Sequence, residues 1–300
     1  MNEGDPILKM GGDALKWVWN NSEEVLKKIA KIKEWFRSRA STESSSEVGD
    51  AATLDRPGIL IIGSGGVGKT TVARILAGDF DRIFTDTSGD YKESLNIEEF
   101  SLKDDPEIGI VVPPGQEHRR PSTWKELLSE IASGEYRGII LLNAYGYHTF
   151  VISYKDHRIY PEVTSPKTKS KFMSAYLENR RGDELNVVRK LAPHVQQCKE
   201  KLWVITVVAK QDLWWPVRDQ VSRYYSHGPY ESEMAAMFAQ HDPLRRRHET
   251  AFASLLISNF RDGEGELLQA NAAGYDHKEQ VDSLRRLFEK VFDLVEWEQA

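Results

Sequence analysis

The chain of 300 residues predicts an α/β fold, a mostly parallel sheet flanked by helices, preceded by a helical segment. From residue 57 onward short apolar runs alternate with amphipathic stretches, the pattern of strand–helix units whose sheet is covered on both faces. A buried-strand candidate, GILIIG at 58–63, runs directly into glycines and a helix start near Lys69. At the other end Val281, Leu284, Phe288, Val291, Phe292 and Val295 keep helical spacing, which suits a helix docked on such a sheet.

Taken in order, further strands are predicted at Leu95–Leu102, Ile108–Val112, Gly138–Leu142, Leu202–Ala209 and Phe252–Ser258. Helices are predicted at 69–77, 122–133, 172–200 (with Gly182 a point for a break), 217–226, 231–240 and 277–297. Residues 40–56, Ser-rich and poor in large apolar side chains, read as a flexible linker between an N-terminal segment, 1–39, and the domain of 57–300. Insertions enlarge that domain near 143–172 and 213–250. In the second, Trp214 and Trp215 either pack under a strand or mark a partner surface. His148 and His157 in the first have no metal-ligand partner at useful spacing and read as structural.

Composition narrows the function classes. A net charge of −6 argues against general nucleic-acid binding. The lone Cys198 cannot form an internal disulfide, no stretch reads as a signal peptide, and none reaches the ~18 apolar residues of a membrane span. The expectation is a cytoplasmic protein without a transmembrane segment.

One motif carries chemistry. Gly63-Ser64-Gly65-Gly66-Val67-Gly68-Lys69-Thr70, followed by Thr71, satisfies G-x-x-x-x-G-K-[ST], set between a strand and a helix as a phosphate-cradling P-loop requires. Glycines allow backbone N–H groups to wrap a phosphate with no Cβ in the way. The helix N-terminus adds its positive dipole end. Lys69 is expected to reach the terminal phosphates and the Thr70 hydroxyl to ligate Mg²⁺.

Two further segments bear on which nucleotide. Pro113-Pro114-Gly115-Gln116-Glu117 is similar to the D-x-x-G-Q-E switch of Ras-like small GTPases, and Ala209-Lys210-Gln211-Asp212 is similar to their N-K-x-D guanine box. Together with GSGGVGKT, they make residues 57–297 resemble a divergent, enlarged P-loop G domain. The resemblance implies GTP or GDP as ligand with Mg²⁺. It implies that Asp212 accepts hydrogen bonds from the guanine edge, that the Lys210 stem lies along the base, that Gly115 donates to the γ-phosphate and that Gln116 orients the attacking water. It places Ser258, at the end of the Phe252–Ser258 strand, in the loop near guanine. It also calls for a switch Thr that closes on the metal, for which Thr85 and Thr87 are the candidates, with spacing to Gly115 favouring Thr87.

Two positions depart from that pattern. The switch Asp is Val112, and the Asn of the guanine box is Ala209. Asp86, Asp90 or Asp104 are loop residues available to compensate at the metal. An ATPase of the motor or AAA type needs an acidic residue ending an apolar strand, whereas these strands end in Val112, Asn143 and Ala209. A P-loop kinase would leave the Lys210–Asp212 segment unexplained. Catalytic arginine candidates are Arg119 and Arg120, beside the switch, then Arg180, Arg181 and Arg245–Arg247. The expectation is a regulatory switch that hydrolyses GTP slowly or with a partner's help, against a non-catalytic module that binds nucleotide structurally.

Residues 12–39 read as helix. Leu15, Val18, Ser22, Val25, Ile29, Ile32 and Phe36 follow a heptad alternation, and 1–40 carry eight basic and six acidic residues, too balanced for a membrane-surface anchor. Docking on the domain remains open, and a partner-binding or self-associating arm is the favoured expectation. The combination resembles multi-part prokaryotic signalling GTPases more than eukaryotic trafficking ones.

Overall fold

The computed structural model describes residues 58–77, 94–102, 105–117, 119–239 and 244–299. The predicted N-terminal helix and linker, and also Thr85, Asp86, Thr87, Asp90 and Asp104, lie outside the described residues.

Six strands form one sheet: β1 (Ile59–Gly63), β2 (Glu98–Leu102), β3 (Asp105–Val112), β4 (Gly138–Asn143), β5 (Leu202–Val208) and β6 (Arg246–Phe252). Their order is β2-β3-β1-β4-β5-β6, and every pairing is parallel except β2 with β3. This is the mostly parallel α/β class the sequence predicts. The sequences ILIIG, GIILLN and LWVITVV of β1, β4 and β5 are buried throughout. Strands covered on both faces read as continuous apolar runs rather than alternating ones.

Helices α1 (Lys69–Ala77), α2 (Arg120–Ser133), α3 (Lys169–Gln197), the single turn α4 (Gln211–Trp214), α5 (Arg218–His227), α6 (Pro229–Phe238) and α7 (His277–Gln299) surround the sheet. A small hairpin, β7 (Phe260–Arg261) with β8 (Leu267–Gln269), precedes α7. In α7, Leu284, Phe288, Val291 and Val295 are buried as their spacing predicts, joined by Leu287 and Leu294. Val281 and Phe292 are half-buried.

Two predicted elements are corrected. Helix α3 runs unbroken through Gly182, where nothing would crowd an added Cβ. A solvent-side glycine costs a helix only ~1 kcal/mol. Burial of Phe172, Met173 and Tyr176 before it, and of Val187, Val188, Leu191 and Val195 after it, at ~1.5–3 kcal/mol for each large apolar side chain, outweighs that cost. The last strand of the six-stranded sheet is Arg246–Phe252, not Phe252–Ser258. Its RRHETAF sequence lacks an apolar run because it is an edge strand, where charged side chains are tolerated. Arg246, one of the catalytic arginine candidates, is buried there and donates to the Cys198 and Glu200 carbonyls.

Candidate functional site

The site lies at the carboxyl ends of β1, β3 and β5. Between β1 and α1, Gly66 (φ 75°) and Gly68 (φ 100°) occupy the left-handed region that favours glycine. The resulting loop curls so that Lys69 is buried and its Nζ donates to the Ser64 carbonyl at 3.0 Å. Thr71 lies beside Thr70 in the first turn of α1.

The segment 113–116 after β3 packs against this loop. A Cβ on Gly115 would overlap Lys69 Nζ and the backbone of Gly63 and Ser64, so only glycine permits the approach. The first turn of α2 fastens the segment from behind. Arg120 donates to the Gly115 carbonyl from Nε (3.0 Å) and Nη2 (2.9 Å), and Nη2 also reaches Ser64 Oγ at 3.1 Å. Its guanidinium stacks on Trp124, whose indole N–H donates to Pro114 O at 2.9 Å. Gln116 lies beside Gly65, and its Oε1 is buried with no hydrogen-bond partner among the described residues.

Lys69 and Arg120 are two buried cations within each other's field. Burial, then repulsion from Arg120, pushes the Lys69 ammonium down to about 7, with Glu98 opposing. Burial also lowers Arg120. An anion between them would relieve both desolvation and repulsion.

The second half of the site follows β5. Lys210, itself in the left-handed region (φ 57°), extends its Nζ to the Gly66 carbonyl at 3.0 Å and to Thr149 Oγ1 at 2.7 Å. Burial pushes its ammonium down to about 7, opposed by Asp212. Asp212 is buried; Oδ1 accepts from Ser254 Oγ at 2.5 Å and Oδ2 from the Ser258 N–H at 3.0 Å. Burial pushes its carboxyl up to about 6 despite those bonds. Ser258 therefore meets Asp212 through its backbone and is six residues beyond the end of β6. Ser254, two residues after β6, supplies the hydroxyl.

The remaining predicted positions fall out as follows. Val112 ends β3 and Ala209 follows β5, both buried. Asn143 is committed elsewhere, donating to the Tyr230 hydroxyl at 2.7 Å. Trp214 packs under β5 with its indole N–H on Ala209 O, at 2.8 Å, and its ring edge-on to Phe252. Arg180 pairs with Asp183 and meets His157, and Arg181 lies over Tyr145.

Sequence reasoning overlooked three features. Thr149 donates its N–H to Gly66 O, so the turn after β4 touches the phosphate loop. Glu184 of α3 holds that turn, accepting from the N–H groups of Ala144 and Gly146, from His148 Nε2 and from the Tyr225 hydroxyl. Burial pushes Glu184 up, and the bonds from His148, Tyr225 and Ala144, with the charge of His148, more than reverse the effect. The third feature is a carboxylate on the Thr70 hydroxyl: Thr70 Oγ1 donates to Glu98 Oε2 at 2.8 Å. None has a local sequence signal, because each depends on contacts distant along the chain.

No protein-family model and no curated protein matches the chain. Among solved structures it is similar to the GDP form of the signal recognition particle receptor SRb from Chaetomium thermophilum, at 13% identity and a TM-score of 0.39, over 81% of this chain and 99% of that one. A second is an ADP-ribosylation-factor-like GTP-binding protein, the small COPII coat GTPase SAR1 from Encephalitozoon cuniculi in complex with GDP. There identity is 15% and the TM-score 0.36, over 93% and 96% of the two chains. A third, Methanosarcina barkeri Roco2 RocCORdC bound to GDP, has 12% identity and a TM-score of 0.28, over 83% of this chain and 53% of that one. Likenesses of this degree assign neither ligand nor activity to this chain. Among the described residues no helix is long and apolar enough to cross a membrane.

Proposed function

We propose that residues 57–300 form a Ras-like G domain that binds guanine nucleotide with Mg²⁺ and acts as a slow or partner-assisted GTPase switch. The observation that carries this reading is the meeting of two segments distant in sequence at one loop. Gly115 abuts Lys69, Gln116 lies beside Gly65, and Lys210 reaches Gly66.

In this reading the loop N–H groups and Lys69 bind the β- and γ-phosphates, displacing the Lys69–Ser64 hydrogen bond. Gly115 offers its N–H to the γ-phosphate. Gln116, with its buried Oε1 lacking a partner among the described residues, would accept a hydrogen bond from the attacking water and align it. Arg120 is placed to stabilise charge developing on the transferred group, since its guanidinium already reaches Ser64. Bound Mg²⁺ supplies neutralisation of phosphoryl charge, with Thr70 as one of its ligands. Asp212 accepts from the guanine edge; adenine lacks the matching donors and would leave a buried carboxylate unpaired. The 12–39 segment is proposed as an arm for a protein partner or a second copy.

The test compares the affinities of GTP, GDP and ATP with and without Mg²⁺, followed by single-turnover GTP hydrolysis. A preference for guanine nucleotides with measurable turnover supports the switch; equal affinity for ATP overturns it. One observation favours a non-catalytic module instead: the apolar Val112 ends β3 where the resemblance calls for a metal-holding Asp. Guanine-specific binding with no turnover at saturating Mg²⁺ would select that reading.

A further inference from the structure

Val112 deprives the end of β3 of an acidic residue, yet the sheet places a carboxylate directly across from it. In the antiparallel β2–β3 pairing Glu98 is the register partner of Val112, Glu99 of Val111 and Phe100 of Ile110. Directly opposed residues project to the same face with Cβ atoms ~4.5–5.5 Å apart. A glutamate on β2 is one methylene longer than an aspartate on β3 and can serve the same space from the facing strand.

The contacts of Glu98 agree. Its Oε2 accepts from Thr70 Oγ1 at 2.8 Å and its Oε1 from Ser94 Oγ at 2.5 Å. Its charge is felt at Lys69, in the phosphate loop. Mg²⁺ binds oxygen at ~2.0–2.1 Å in octahedral geometry, which sets neighbouring ligand oxygens about 2.9 Å apart. The Thr70–Glu98 pair stands at that spacing, so a cation could displace their hydrogen bond with little movement of either side chain, the Thr70 hydroxyl turning its proton aside and keeping it. Mg²⁺ is commonly held by one or two carboxylates together with substrate phosphates, and one hydroxyl with one carboxylate suits that division. No cluster of three or more His, Cys, Asp or Glu able to hold a metal exists among the described residues.

We propose that Glu98 is the carboxylate of the metal site, taken from β2 in place of the missing acid at the end of β3, with Ser94 as the positioning residue that fixes its second oxygen. The assignment rests on the guanine-nucleotide reading above. It makes Glu98 and Val112 an interchangeable pair, since an acid on either side of the register serves the same cation.

The experiment measures GDP affinity in Mg²⁺ and in EDTA for the full chain and for Glu98→Gln, Glu98→Asp and the double variant Glu98→Gln/Val112→Asp. Mn²⁺ binding to each GDP complex is followed by electron paramagnetic resonance. The wild type is expected to lose about tenfold or more of its affinity in EDTA. Glu98→Gln should retain its EDTA affinity while losing most of the Mg²⁺ advantage and the Mn²⁺ signal, and the double variant should regain both. Glu98→Asp, which keeps the charge, should shift the Mg²⁺ midpoint without abolishing it. Wild-type Mg²⁺ dependence in both single variants overturns the assignment while leaving guanine binding intact. Failure of the wild type to bind guanine nucleotide at all overturns the underlying reading, and this one with it.

Discussion

In the proposed nucleotide cleft, the phosphate end and the base end would use buried charge in opposite ways. At the phosphate end Lys69 and Arg120 are crowded together, both depressed by burial, and Gln116 Oε1 is buried without a partner. At the base end Asp212 has both oxygens engaged by Ser254 and Ser258. A ligand phosphate would therefore relieve an electrostatic cost already present, whereas a guanine edge must exchange with the Ser258 N–H. Affinity belongs mainly to the first end and selectivity to the second, where the gain is a difference between two sets of hydrogen bonds.

The comparison can be broken most severely at Lys69. Lys69→Ala removes the charge-assisted bonds to phosphate, about 3 kcal/mol or more, and should weaken GDP and pyrophosphate alike by about 100-fold, read by titration calorimetry. Asp212→Asn should act at the base end alone. GDP affinity should fall about 10- to 100-fold, by ~1.5–3 kcal/mol, with pyrophosphate unchanged. If both ligands weaken equally, the division between the ends is wrong.

Acidity sharpens the same contrast. Phosphate favours protonated Lys69, whose unliganded ammonium titrates at about 7, so affinity falls as pH rises above that value. Guanine favours ionised Asp212, whose carboxyl titrates at about 6, so base recognition falls as pH drops below it. GDP affinity should thus peak between about 6 and 7, with each limb falling by up to about tenfold per pH unit. Pyrophosphate should show the alkaline limb only, checked by the same titrations across pH 5 to 9. The smallest binding effect is expected at Gln116. Gln116→Ala should leave GTP affinity within about threefold while slowing single-turnover hydrolysis by about tenfold or more, because its proposed role is to orient water rather than to hold phosphate.

The buried centre of the fold could be read from the chain because strands β1, β4 and β5 are covered on both faces and so carry unbroken apolar runs. The phosphate loop was equally plain, since its glycines, Lys69 and Thr70 are contiguous. Edge elements were not. RRHETAF in β6 has neither an apolar run nor clean alternation, so Ser254 just beyond it carries no local signal, while Ser258 meets Asp212 through its N–H. Gly182 suggested a break that the burial on either side of it overrides. Thr149, Glu184 and Glu98 act on the site across long separations, so only strand register and loop packing disclose them.

Lys210 belongs by sequence to the base end, yet its ammonium is bonded to Gly66 of the phosphate loop and to Thr149 of the turn held by Glu184. Three loops from distant parts of the chain are thus knotted at a single cation. Ordering any one of them restricts the other two before they meet the ligand, which lowers the entropy they still have to lose. The two halves of a nucleotide are then not independent guests. If the proposed nucleotide reading holds, guanosine and pyrophosphate offered as separate molecules should bind cooperatively, each arriving at a cleft that the other has stiffened.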